Sequence, residues 1–262
     1  LLSTLGVEVV ELDTGPDTGF QPTVDALAAI HGHKPIRGFV LASPANPTGT
    51  MISQNRLTQI AAWCQEQGVR IISDEIYHGI TYTQADHPRG VCVAGLDEHA
   101  VVVSSFSKYW GMTGWRIGWM IMPPELRAPI DALAGNVALS PPSPAQAAVL
   151  AAFSEQAYAE ADARVESFAQ VRRIALDAAP RLGWGPLAPA DGAFYLYAGV
   201  PLGEYGSSSQ WANALLEQAG VAVVPGTDFD AVNGGGYVRL SFAAGQAAVE
   251  EAFTRIEQFI SR

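Results

Sequence analysis

The chain has 262 residues, 48% of them hydrophobic, and carries 15 Lys and Arg against 26 Asp and Glu for a formal net charge of -11. That much apolar material supports one large or two modest folded domains and excludes a disordered chain; with no dense basic run to track a phosphate backbone, nucleic acid is excluded as a partner. No apolar run reaches the roughly 18 residues of a membrane span, the start lacks the marks of a signal peptide, and Cys64 and Cys92 form no CxxC pattern, so a soluble protein of a reducing, cytoplasmic compartment is expected.

The opening Leu1-Leu2-Ser3-Thr4-Leu5-Gly6 has no initiator Met and runs directly into an apolar strand pattern, Val7 to Leu12, as though an upstream segment precedes it. Helical and β-branched patterns then alternate. Helices are predicted over Thr23–Ile30 and Gln54–Gln67, and strands over Ile36–Ala42, Val69–Ser73, Val101–Ser104 and Arg116–Met122. This alternation predicts an α/β fold, a mostly parallel sheet with helices on its faces. The strands at 36–42 and 101–104 are apolar on both faces, as in strands buried from two sides. Ligands of such sheets gather at the carboxyl ends of the strands, where Ser43–Asn46, Asp74–Tyr77 and Ser105–Lys108 all fall.

From Pro144 to Ala179 the pattern is helical, and Pro141, Pro142 and Pro144 mark a boundary before it. Beyond lie strands at Phe194–Tyr197, Val221–Val224 and Tyr237–Phe242 and helices at Gln210–Gln218 and Ala247–Ile260. The chain is therefore expected to divide into a large domain, residues 1–143, and a connecting helix with a smaller α+β domain, residues 144–262.

The densest chemistry lies in Ser105-Phe106-Ser107-Lys108, followed by Gly111, Gly114, Arg116 and Gly118. A lysine amine can form an imine with an aldehyde, and Ser105, Ser107 and Arg116 supply neutral and charged donors to phosphate oxygens. The set suits a phosphorylated aldehyde. Asp74, at the end of an apolar strand, can pair with a protonated ring nitrogen and keep it charged. Tyr77 and Asn46 can donate to a phenolic ring oxygen. Taken singly, each motif is also an ordinary turn or helix cap.

Asn46-Pro47-Thr48-Gly49, Asp74-Glu75-Ile76-Tyr77, Ser105-Phe106-Ser107-Lys108 and Gly114-Trp115-Arg116-Ile117-Gly118, in that order, together resemble the class I and II aminotransferases of fold type I. Tyr237-Val238-Arg239-Leu240-Ser241-Phe242 resembles the family's strand bearing the arginine that grips a substrate α-carboxylate. The resemblance implies pyridoxal 5′-phosphate on Lys108 as a Schiff base, and Asp74 at the ring nitrogen. It places Tyr77 and Asn46 at the ring oxygen, Ser105, Ser107 and Arg116 at phosphate, and Arg239, with Asn46, at the substrate. It implies amino transfer between an L-amino acid and a 2-oxo acid, in a homodimer. It also implies an upstream portion carrying a Gly-rich loop and a ring-stacking aromatic, for which this chain has no counterpart.

The same fold and lysine also serve a lyase that cleaves a β carbon–sulfur bond, and a non-catalytic sensor domain of a regulator. Substrate identity stays open. Between Arg127 and Arg164 there is no Lys or Arg, so aspartate is neither supported nor excluded. Trp110, Trp115 and Trp119 are expected to serve packing. His31-Gly32-His33 has too few neighbours for a metal site and is expected in a surface loop; His78 is expected to pack on a helix, and Gly234-Gly235-Gly236 to form a flexible turn.

Overall fold

A computed structural model describes residues 2–82 and 89–261. Its first sheet runs in the order β1 (Gly38–Ala42), β2 (Arg70–Asp74), β3 (Val101–Ser105), β4 (Gly118–Ile121). β1, β2 and β3 are parallel, and β4 returns antiparallel to β3, with Ser105 opposite Gly118. The tight approach there excludes a larger residue: a Cβ on Gly118 would meet the Ser104 carbonyl oxygen at 2.5 Å.

Helix α1 (Val24–His33) starts where the Thr23 hydroxyl accepts from Ala26 N–H, and α2 (Gln54–Gln67) where the Ser53 hydroxyl accepts from Arg56 N–H. These caps satisfy amides that the first helical turn leaves without partners. Gly68, at φ 65°, closes α2 in the left-handed conformation that glycine adopts without steric cost. Leu57, Ile60, Ala61 and Cys64 of α2, with Leu27 of α1, pack on Leu41, Ile71 and Val102 to form the core of this part.

The second sheet, β5 (Tyr195–Gly199), β7 (Tyr237–Ser241), β6 (Val224–Pro225), is antiparallel. It packs with the 24-residue α5 (Glu155–Ala178), with α6 (Ser208–Ala219) and with α7 (Gln246–Ile260) around Trp211, Leu215, Leu196, Phe242, Val238 and Ile256. Two further helices, α3 (Pro124–Val137) and α4 (Ser143–Ala148), fall in sequence between β4 and α5.

Several expectations are corrected. Val7–Leu12 is no strand; its residues have no ladder partner among the described strands, and Val7, Val9 and Val10 are exposed. Among the described residues the first sheet is packed by helices mainly on one face, with Val40, Val103 and Met120 on the other 54%, 38% and 41% exposed. The stretch from 144 to 179 is broken by a tighter turn at Val149–Phe153 before α5 begins behind the Ser154 cap. Helix α3 was not among the predicted elements; Pro124 occupies its first turn, where the missing N–H costs nothing. The strand at Val221–Val224 shrinks to Val224–Pro225. His31 and His33 lie in the last turn of α1, His31 edge-on to Trp63 at 5.5 Å, rather than in a loop. Gly234–Gly236 forms one 3-10 turn, fixed where Gly234 approaches Gly226.

Candidate active site

The predicted residues collect where the carboxyl ends of β1, β2 and β3 meet the second sheet. A cavity of about 400 Å³ is lined by Ile76, Ser105, Ser107, Lys108, Thr113, Arg116, Ile117 and Gly118. The loop after β3 curls inward because the Ser105 hydroxyl accepts from Ser107 N–H at 3.1 Å. Arg116 stands at φ 51°, a left-handed conformation uncommon for a residue with a side chain, and its guanidinium donates to the Thr113 carbonyl at 3.0 Å. One amine, several hydroxyls and one guanidinium therefore share a concave wall.

Asp74 ends β2 beside this cavity, exposed, with its carboxylate accepting from Ile76 N–H at 3.0 Å. Tyr77 is buried, and its hydroxyl lies 2.8 Å from that of Tyr195. Burial above all pushes the Tyr77 phenol above its ordinary range, so the group stays protonated. The Lys108 amine lies 5.9 Å from the ring centres of both Tyr77 and Phe194.

On β7, Arg239 donates to Asn46 Oδ1 at 2.6 Å, and its guanidinium lies between the rings of Tyr195, at 4.5 Å, and Phe229, at 4.7 Å. Its Nε is buried with no hydrogen-bond partner among the described residues. An arginine with free N–H groups facing a half-enclosed site matches a planar carboxylate. Asn46 is thus tied to Arg239, which leaves its amide nitrogen as the donor.

All eight predicted residues thus fall within one region: Ser105, Ser107, Lys108 and Arg116 line the cavity, and Asp74, Tyr77, Asn46 and Arg239 stand around it. Sequence reading missed Thr113 on the cavity wall and the aromatic set Phe194, Tyr195 and Phe229. The available signal for Tyr195 was its place on a strand preceding the one that bears Arg239: Tyr197 pairs with Arg239, so Tyr195 is its diagonal neighbour on the same face. Of the three tryptophans, Trp110 packs among Phe106, Tyr109 and Tyr158, and Trp119 lies edge-on to Phe106, as expected; Trp115 is 45% exposed. His78 sits in the turn after β2, with Nδ1 3.3 Å from the buried Glu75 carboxylate.

A lysine at the strand ends of a parallel sheet, with hydroxyls and an arginine around it, and a second arginine paired with Asn46 from the other sheet make a lysine-centred site on an α/β frame. The family model for aminotransferase class I and II matches residues 2–256, and the chain belongs to that family. It is 48% identical over 261 residues to the valine–pyruvate aminotransferase of Mycobacterium tuberculosis (strain ATCC 25618 / H37Rv), covering 99% of this chain and 66% of that protein. It is 34% identical over 265 residues to an aspartate aminotransferase of Streptomyces avermitilis, covering 97% and 63%. Its fold superposes on the crystal structure of an aminotransferase from Mycobacterium tuberculosis with a TM-score of 0.94 at 48% identity, covering 99% of this chain and 66% of that one. The chain therefore spans about two thirds of the length of the relatives it matches. Class I and II aminotransferases of this fold use pyridoxal 5′-phosphate. The residues present suit that group, since the cavity wall offers an imine-forming amine beside neutral and cationic phosphate donors.

Proposed function

We propose that the protein transfers an amino group between an L-amino acid and a 2-oxo acid, with pyridoxal 5′-phosphate carried on Lys108. The observation that carries this reading is the meeting of two donor sets, the Lys108 cavity and the Arg239–Asn46 pair, joined by the Tyr77–Tyr195 hydrogen bond. Ser105, Ser107 and Arg116 would hold the phosphate, Asp74 the ring nitrogen, and Tyr77 and Asn46 the ring oxygen. When bound, the cofactor supplies an electron sink for the charge left as the substrate α-proton departs. Arg239 orients the substrate through its carboxylate, which fixes the α-carbon toward Lys108. The Lys108 Nζ would take the α-proton of the amino donor and, in the second half of the exchange, would deliver a proton to the α-carbon of the amino acid formed from the 2-oxo acid.

The side-chain preference proposed is for a neutral, aliphatic amino acid, with valine and pyruvate as the pair. Phe194, Tyr195, Phe229 and Tyr77 surround Lys108 and Arg239 with uncharged rings, and the 48% identical relative is named for that pair. Lys108→Ala in the holoenzyme is expected to abolish turnover and the cofactor's lysine-bound absorbance. Retention of both would remove the assignment. In a panel of donors, valine is expected to exceed aspartate at least tenfold in kcat/KM, and the reverse order would overturn the preference.

The same reading takes residues 1–143 as the cofactor domain and residues 144–262 as connecting helix and smaller domain, supported by the separate cores around the two sheets. It includes a homodimer, supported by the exposed Leu133 and Val137 of α3 with Leu150 and Phe153 beyond it, and a cytoplasmic site of action. No described helix is long and apolar enough to cross a membrane. Sedimentation of the purified protein tests the dimer.

A further inference from the structure

We propose that Tyr195 is a positioning residue that couples the two ends of the site: its hydroxyl sets the donor strength of Tyr77, and its ring holds the guanidinium of Arg239 flat for a carboxylate. The inference rests on the amino-transfer reading above and extends it to a residue that the site motifs do not contain.

Tyr195 is 6% exposed, and a phenol so buried needs a hydrogen-bond partner. Its partner is the Tyr77 hydroxyl at 2.8 Å. Between two phenols one proton lies on the line joining the oxygens and the other is free to point elsewhere. With Tyr195 donating, the Tyr77 proton is directed toward the site, and hydroxyls in series strengthen one another as donors. The charged and titratable groups around Tyr77 are Tyr195, Arg239 and Asp74, with Lys108 beyond at 5.9 Å from its ring. Burial outweighs the pull of Arg239 and keeps the Tyr77 phenol protonated. It therefore acts as a donor through the neutral range.

The ring of the same residue performs the second task. As the diagonal neighbour of Arg239 across the β5–β7 pair, Tyr195 brings its ring to 4.5 Å from the guanidinium carbon, and the Phe229 ring lies 4.7 Å from it. Two aromatic rings in cation–π contact restrict how the guanidinium turns, which favours presenting its edge N–H groups to a ligand. Asn46 Oδ1 takes one of them and sets the rotation of the fork within that plane.

The two tasks separate by substitution. Tyr195→Phe keeps the ring and deletes the hydroxyl; Tyr195→Leu deletes both. In the holoenzyme two quantities are read: the pH midpoint of the cofactor absorbance, and the Kd for isovalerate, which is valine without its amino group and does not react. A donor to the ring oxygen favours the form in which that oxygen bears full negative charge, so weakening Tyr77 raises the midpoint. Tyr195→Phe is expected to raise it by about half a pH unit or more, as loss of part of one charge-assisted hydrogen bond implies, with the isovalerate Kd within about twofold. Tyr195→Leu is expected to raise the midpoint equally and to weaken isovalerate about tenfold, the scale of a partly desolvated cation–π contact. A midpoint unmoved in Tyr195→Phe, or an isovalerate Kd unmoved in Tyr195→Leu, overturns the coupling while the absorbance remains dependent on Lys108. A wild-type holoenzyme whose absorbance survives in Lys108→Ala overturns the underlying reading and this inference with it.

Discussion

The two sheets of this protein are built from similarly apolar strands and yet differ in how they are buried. The second is closed in by α5, α6 and α7, and its core residues Leu196, Val238 and Phe242 are 0% exposed. The first is covered by α1 and α2 on one face, which buries Ile71 and Val102, while Val40, Val103 and Met120 on the opposite face stay open. Apolar content on both sides of a strand is therefore a demand for cover, and the helices of this chain meet that demand on one side. Stability should concentrate in the second sheet and on one face of the first. Chemistry should gather where the first sheet's strand ends meet the second, and the site lies there.

The largest effect that tests this contrast is Phe242→Ala. The ring is fully buried in the second core and touches Tyr82 across it. Its loss is expected to cost about 3–5 kcal/mol, read as a shift in denaturant midpoint at unchanged slope. Next comes Glu75→Ala. This carboxylate, 3% exposed, accepts from the Ser73 hydroxyl at 3.1 Å and from Val93 N–H at 2.8 Å. Removing it leaves both donors buried without a partner, at a cost of about 1–3 kcal/mol. Chemical denaturation should register that loss even though Glu75 belongs to the less enclosed half. A neutral result would mean that the seam between β2 and the segment at Val93 is held by packing alone.

Much of this arrangement was legible in the sequence. Helix α2 matched its predicted span because a Ser cap, a four-turn apolar stripe and a terminal glycine agree with one another. Asn46, Asp74, Tyr77, Ser105, Ser107 and Lys108 were legible because each falls at or just beyond the carboxyl end of a short apolar strand, and Arg116 and Arg239 through the motifs around them. Helix α3 was not predicted; it carries proline both at its first turn, where the residue is tolerated, and in its interior, where it removes a hydrogen bond. Val7–Leu12 misled because strand propensity says nothing about the presence of a neighbour to pair with. Tyr195 and Phe229 were hidden for a different reason: their roles arise from proximity to Arg239 and Tyr77, and contacts between residues so far apart in sequence carry no local signature. Glu75 read as a cap residue beside Asp74, whereas burial makes it a hub for Ser73, Val93 and His78.

A smaller, pH-dependent effect belongs to His78. Burial lowers its ring below the ordinary 6.5 against the opposing pull of Glu75 and Asp74. The folded state then binds protons less readily than the unfolded chain, so stability is intact above 6.5 and declines as pH falls toward the folded-state value. The slope contributed by one proton is at most about 1.4 kcal/mol per pH unit. Denaturation midpoints collected from pH 7 down to 5 should fall less steeply in His78→Gln than in the wild type; parallel curves would show that the ring carries no such penalty.

The smallest effect is also the one that can break the contrast itself. Val103 and Val102 are neighbours on β3 and point to opposite faces; Val102 is 1% exposed and Val103 is 38% exposed. If the face bearing Val103 is open to solvent, Val103→Thr replaces one methyl by a hydroxyl that water can reach, and the cost stays within about 0.5 kcal/mol. A cost near that of burying an unpaired hydroxyl, about 1–3 kcal/mol, would mean that this face is enclosed in solution. Measuring the variant at two protein concentrations separates the sources: a cost that grows with concentration belongs to cover by a second molecule, and one that does not belongs to the chain itself.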